Sequence, residues 1–168
     1  MKGKDLALRG LLLALALVLS WLESLLPLSF AAPGIKLGLP NLAVVFALYR
    51  LSWRDAALIS LLRVLMISLL FGSWAALAWS AAGAALSLAV MALLQHTGKF
   101  KIAAVSVAGG VAHNLGQIAV AALLLETIRI VYYLPALLVS GTVAGVIIGL
   151  LSAVLVRRVG PGGKKEGN

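Results

Sequence analysis

Apolar runs of about 17–25 residues, cut by proline, glycine and charge, recur along the whole chain, and that length matches the hydrocarbon thickness of a bilayer. They cover approximately 6–30, 55–71, 74–94, 102–125 and 133–156, with a shorter segment at 38–51. The short one starts its apolar part near Asn41 and ends at Tyr49-Arg50, too short to cross comfortably unless part of the preceding loop dips into the bilayer. Of the 168 residues, 62% are hydrophobic and only 11% charged, more apolar surface than a soluble core of this size can hide. The expected fold is therefore all-α: a polytopic membrane bundle of about six transmembrane helices, one domain over 1–168 with a polar tail at 157–168. Basic residues before an apolar run give the start of the chain the look of a signal peptide. However, no small-residue cleavage site follows a short apolar core, and the run continues through Trp21 to Phe30, so it reads as a retained first span.

Charge supports the same count. Six spans put both termini on one side with the loops near 50–55 and 95–101. That side collects Lys2, Lys4, Arg9, Arg50, Arg54, Lys99, Lys101, Arg157, Arg158, Lys164 and Lys165, and the other keeps Lys36 and Arg129. Lysine and arginine accumulate on the cytoplasmic face of membrane proteins, so both termini are expected to be cytoplasmic in a multi-pass protein of the cell membrane. Topology and anionic headgroups account for the net charge of +9. No basic module with interleaved stacking aromatics is present, so nucleic acid is not an expected partner.

The fifth span holds the most unusual stretch, Gly109-Gly110-Val111-Ala112-His113-Asn114-Leu115-Gly116-Gln117. Polar groups at membrane depth are costly unless paired, and they face a bundle interior or a cavity. On a helix His113 and Gln117 share a face with Gly109 one turn earlier, and Asn114 follows Gly110 by one turn. Two ionisable groups also fall within spans: Glu23 in the outer part of the first and Arg63 near the middle of the third. They fit either an interhelical bridge that fixes register, or a functional arrangement with Arg63 or Glu23 facing a cavity beside His113, Asn114 and Gln117.

Small residues form a second pattern. Gly141, Gly145, Gly149 and Ala153 recur at four-residue spacing, a ladder that lets another backbone approach closely. Gly10 and Ala14 stand in the same relation in the first span, and the fourth carries Ala81-Ala82-Gly83-Ala84-Ala85. Such ladders serve internal helix packing or docking onto another membrane protein. Trp21, Trp53, Trp74, Trp79, Tyr132 and Tyr133 fall mostly near span ends, where aromatic belts belong.

Nothing points to catalysis by the chain itself. Its five acidic residues, Asp5, Glu23, Asp55, Glu126 and Glu166, are scattered, whereas Mg²⁺-dependent diphosphate chemistry needs clustered carboxylates. His96 and His113 lack metal-ligand spacing, and there is no cysteine. Ser106 lies two turns before His113, too far for a nucleophile–base pair, with no orienting carboxylate. No Lys-Ser/Thr follows the glycines, so a phosphate-binding loop is absent. No catalytic residue, metal or cofactor is expected.

The block Pro33-Gly34-Ile35-Lys36-Leu37-Gly38-Leu39-Pro40-Asn41-Leu42, together with the run 110–117, resembles the Gx transporter family, whose members are often labelled heptaprenyl diphosphate synthase component I. The resemblance extends over nearly the whole chain. It implies likeness to the S components of energy-coupling-factor transporters: six-helix membrane proteins that bind a vitamin or related molecule from outside. These dock through small residues of the first helix onto a transmembrane partner with two ATPases. Gly10 and Ala14 would serve that docking. The synthase label would not reflect catalysis, since the carboxylate motifs of a prenyl synthase are missing. The resemblance further suggests association with flavin- and quinone-linked membrane redox proteins.

The residues and the resemblance together give a candidate binding site. Lys36 and Asn41 would line or lid it, and His113, Asn114 and Gln117 would form its floor. Lys36 and Arg63 would suit an anionic group such as a carboxylate or diphosphate, and the apolar surroundings an isoprenoid or aromatic tail. The loop could equally be a re-entrant plug that seals the bundle. Two functions remain open. One is an S-component-like binding protein for a small, partly apolar isoprenoid, quinone or vitamin precursor. The other is a non-catalytic membrane subunit or scaffold of a prenyl diphosphate synthesis or redox (extracellular electron transfer) assembly.

Overall fold

The computed structural model describes residues 2–26 and 37–159. Among them the chain forms six α-helices: α1 (Lys2–Ser24), α2 (Asn41–Arg50), α3 (Trp53–Phe71), α4 (Trp74–His96), α5 (Ile102–Leu124) and α6 (Leu134–Arg158). A short 3₁₀ helix, Ile128–Tyr133, leads into α6. The fold is all-α, as the apolar runs predict. Four of the helical stretches are long and apolar enough to cross a membrane: 5–24, 74–96, 102–124 and the combined 128–158. With 19 residues α3 has almost the same reach, but Arg54, Asp55 and Arg63 make it more polar.

Local sequence sets the tight connections. Ser52 caps α3 by accepting the Asp55 amide at 3.1 Å, and Asp55 places a negative charge on the helix's positive N-terminal end. Ser73 caps α4 in the same way through Ala76 N–H, at 3.2 Å. These caps leave only Leu51-Ser52 between α2 and α3, and Gly72-Ser73 between α3 and α4, so the chain must reverse at each. Gly98, in the left-handed conformation at φ +66°, turns the chain from α4 towards α5.

The short second helix is the centre of the molecule. Ten residues rising about 1.5 Å each span only about half a bilayer core. Yet Ala43, Val44, Val45, Phe46, Ala47 and Leu48 are all buried, six in succession, so every face of α2 is covered. α1, α3 and α6 pack around it. The long helices instead carry exposed Leu and Val outward, Leu11, Leu15 and Val18 on α1 and Val139, Val143 and Leu150 on α6, as lipid-facing surfaces do.

α5 is clamped between α4 and α6 by glycine. A Cβ on Gly116 would stand 2.9 Å from the Ala82 carbonyl oxygen of α4, and one on Gly110 would meet the Gly141 carbonyl oxygen of α6 at 2.5 Å. A Cβ on Gly145 or Gly149 would lie 2.6 Å from Val107 Cα or Ala103 Cα, so the α6 ladder faces α5. At the basic end, Arg9 Nε of α1 pairs with Asp55 Oδ1 of α3 at 2.8 Å, and Gln95 Nε2 of α4 donates to the Leu48 carbonyl of α2 at 3.5 Å.

Two boundaries differ from the sequence expectation. α1 stops at Ser24, with Leu25 and Leu26 bonding back in a turn, whereas the apolar run continues to Phe30; Leu26 precedes Pro27, and a residue before proline is disfavoured in helix. The expected connection between the fifth and sixth spans contains the 3₁₀ helix, started by Thr127, whose hydroxyl accepts the Arg129 amide at 3.4 Å.

Candidate functional site

A cavity of about 70 Å³ opens between α1, α3, α4, α5 and α6, on the side of the bundle where α1 ends and α2 begins. Helical spacing selects its walls. α5 contributes Ser106, Gly110, His113 and Asn114, a stripe at i, i+4, i+7 and i+8, and α6 contributes Gly141, Ala144, Gly145 and Ile148. Glu23 comes from α1, Arg63 from α3 and Ser80 from α4, while Leu37, Gly38, Pro40 and Asn41 close one side.

The turn into α2 is tied to this wall. Gly38 sits at φ +69°, a conformation glycine adopts without a Cβ penalty, and its N–H donates to Glu23 Oε1 at 2.5 Å. Its carbonyl accepts the Asn41 amide at 2.8 Å, which starts the first turn of α2. Glu23 is thus a buried carboxylate with a defined backbone donor. No contact ion pair joins Arg63 and Glu23 among the described residues. Both line the cavity with His113 and Asn114.

Two wall residues have buried polar atoms without a partner among the described residues: Arg63 Nε and Ser106 Oγ. An unsatisfied buried donor costs about 1–3 kcal/mol, and more when charged. Asn114, in contrast, is held: its Nδ2 donates to the Leu137 carbonyl of α6. Gly141 leaves room for that amide, because a Cβ there would stand 2.5 Å from Asn114 Nδ2. The combination of guanidinium, carboxylate, hydroxyl, imidazole and amide around a small space suits a compact polar or anionic group. At about 10–15 Å³ for each water-sized occupant, the cavity takes a group the size of a phosphate or carboxylate.

Of the residues singled out in the sequence, Asn41, Arg63, His113 and Asn114 come together on this wall. Gln117 does not. It is buried between α5 and α4, where a Cβ on Gly83 would meet its Cγ at 2.7 Å. One turn beyond His113 carries Gln117 about 6 Å further along the axis, past the cavity and onto the neighbouring helix. Lys36 lies outside the described residues. Gly141 and Gly145 line the cavity as well as packing on α5, whereas Gly149 only packs. Gly10 and Ala14 are exposed, and a Cβ on Gly10 would touch nothing within 4 Å.

Sequence reasoning did not select Ser106, Ser80, Ala144 or Ile148 as wall residues. The repeat Ser106, Gly110, His113, Asn114 carried a signal for the first, since one helical face contains all four. Nothing local distinguishes Ser80 from the small residues around it.

Comparison with curated proteins returns no match, and neither does comparison with solved structures. The family model for heptaprenyl diphosphate synthase component I matches residues 12–155, nearly the full helical bundle and every described wall residue of the cavity. The chain belongs to the heptaprenyl diphosphate synthase component I family.

Proposed function

We propose that the chain is a multi-pass membrane binding protein of the S-component type. In this reading it captures a small, partly apolar molecule with an anionic group, of the isoprenoid, quinone or vitamin-precursor class. The observation that carries the reading is Arg63, whose buried Nε has no partner among the described residues while the residue lines a cavity shared with Glu23, His113 and Asn114. A purely structural arginine at this depth would be driven to saturate its donors. Asn41 brings a further polar group to the side where Leu37–Asn41 closes the cavity, and Asn114 orients its amide against α6; Lys36, outside the described residues, is the second cation proposed for the anionic group. Gln117 acts in α4–α5 packing. The chain performs no catalysis in this reading. Its basic end and both termini face the cytoplasm, with the cavity towards the outside of the cell membrane. Gly10 and Ala14, on the outward face of α1, form the contact to an energy-coupling membrane subunit with its ATPases.

The family description favours a second reading, because it names a component of a prenyl diphosphate synthase and so implies a partner. There the bundle would be a non-catalytic membrane subunit or scaffold. Native mass spectrometry of the detergent-purified protein separates the two. The binding reading expects a discrete small molecule on the wild type, lost in a His113→Ala, Asn114→Ala double variant that remains folded. An empty wild type carrying a stable protein partner would overturn it in favour of the scaffold.

A further inference from the structure

Next to the polar cavity lies a second concavity of different chemistry, an open groove lined by Leu37, Pro135, Ala136, Val139, Ser140, Val143 and Ala144. It runs along the first turns of α6, on the outward surface, where Val139 and Val143 are exposed. The one hydroxyl in its lining is already used, since Ser140 Oγ donates to the Leu137 carbonyl at 3.0 Å. Leu37 and Ala144 line both spaces, so polar cavity and apolar groove meet along these two side chains. The cavity suits a phosphate- or carboxylate-sized group, and the adjoining groove offers space for the hydrocarbon part of a partly apolar ligand.

We propose that the ligand is a single-chain amphiphile whose anionic head occupies the cavity at Arg63 while its hydrocarbon chain lies in the α6 groove, so that the site loads sideways from the bilayer. This rests on the binding reading above and adds where the chain goes and which residues select it. Ala144 is the threshold: its side chain is small and buried, and it sits where head must become tail. Val139 and Val143 form the outer lip. A ligand bound this way leaves its chain partly in contact with lipid, so the bundle need not open to admit it. Asn114 adds rigidity at the junction, because its bond to Leu137 pins α6 one helical turn from Ser140 and Gly141.

Lipid already dissolves a hydrocarbon chain, so chain length is a poor readout and the position of the chain is the informative one. The experiment uses the full chain in lipid nanodiscs with n-decyl phosphate carrying a diazirine at the chain end, and maps the photolabel by peptide mass spectrometry. Label concentrated on residues 135–144, and displaced by excess plain decyl phosphate, is the expected result. Val139→Trp fills the groove from its exposed side without entering the bundle, and should lower that label about tenfold by occupying the space the chain would take. Ala144→Phe should do the same from the inside. Ethyl phosphate binding to the wild type reports on the head cavity alone. If ethyl phosphate binds but the label falls on other helices, or Val139→Trp leaves it intact, the groove assignment is overturned while the binding reading stands. If neither phosphate binds, both are overturned.

Discussion

Gly110→Ala is the sharpest test of how this bundle is held together. The added methyl would arrive 2.5 Å from the Gly141 carbonyl oxygen and 3.3 Å from its carbonyl carbon. Both are backbone atoms of a packed helix, so no side chain can rotate away and α5 and α6 must separate. Overfilling of this kind costs about 1–3 kcal/mol. The same change at Gly10 meets nothing within 4 Å and replaces a poor helix former with the best one, a gain of about 0.5–1 kcal/mol. The two single-methyl substitutions should therefore differ by roughly 1.5–4 kcal/mol, or on the order of 3–16 °C in melting temperature for a chain of this size. Thermal unfolding of both variants in one detergent, followed by loss of monodisperse protein, measures the difference. Since Gly110 also lines the cavity, Gly110→Ala should lose ligand as well as stability. Equal melting temperatures for the two variants would refute the close α5–α6 approach and the cavity wall built on it.

Other residues give independent checks. Arg63→Met removes a half-buried guanidinium whose Nε is buried and which has no contact ion pair among the described residues, so stability should change by less than about 1 kcal/mol or rise, while decyl phosphate labelling disappears; a large destabilisation would mean the guanidinium is structural. Asn114→Leu removes the donor to the Leu137 carbonyl, but that oxygen keeps Ser140 Oγ, so chemical denaturation should register only about 0.5–1.5 kcal/mol. Gly38→Ala meets no atom within 4 Å and is resisted only by its φ of +69°, so it should cost roughly 1–2 kcal/mol, as measured by the same unfolding assay. Asp55→Ala takes away the partner of a partly exposed Arg9 and the negative charge at the N-terminal end of α3, so it should cost about 0.3–2 kcal/mol, an effect that shrinks as salt is raised.

Much of the cavity wall was legible in the chain because polar residues in apolar spans have few places to go. His113, Asn114 and Arg63 were identifiable on that ground alone, and all three line one cavity. Glu23 had two possible roles, and its bond to Gly38 N–H shows how its carboxylate is used. Gln117 carried the same signal as His113 and ended elsewhere. Helical periodicity puts the two on one face, but it cannot tell at what height along that face a cavity stops and a neighbouring helix begins. Ser80 and Ala144 carried no signal, because small residues line cavities and tight contacts alike.

Length and hydropathy act locally, so the sequence by itself determined that this chain is a helical membrane bundle with one basic end. The energy of placing each apolar run in a bilayer depends on that run alone. The meeting of the helices was decided in three dimensions. Asn41–Arg50 is the least convincing span by length, yet tertiary structure makes it the centre, because α1, α3 and α6 cover every face and leave none of it to meet lipid unaided. The glycines of α5 and α6 could have served packing or docking, and only the opposing backbones, 2.5–2.6 Å from where a methyl would sit, settle that Gly110 and Gly145 hold these two helices together beside the cavity.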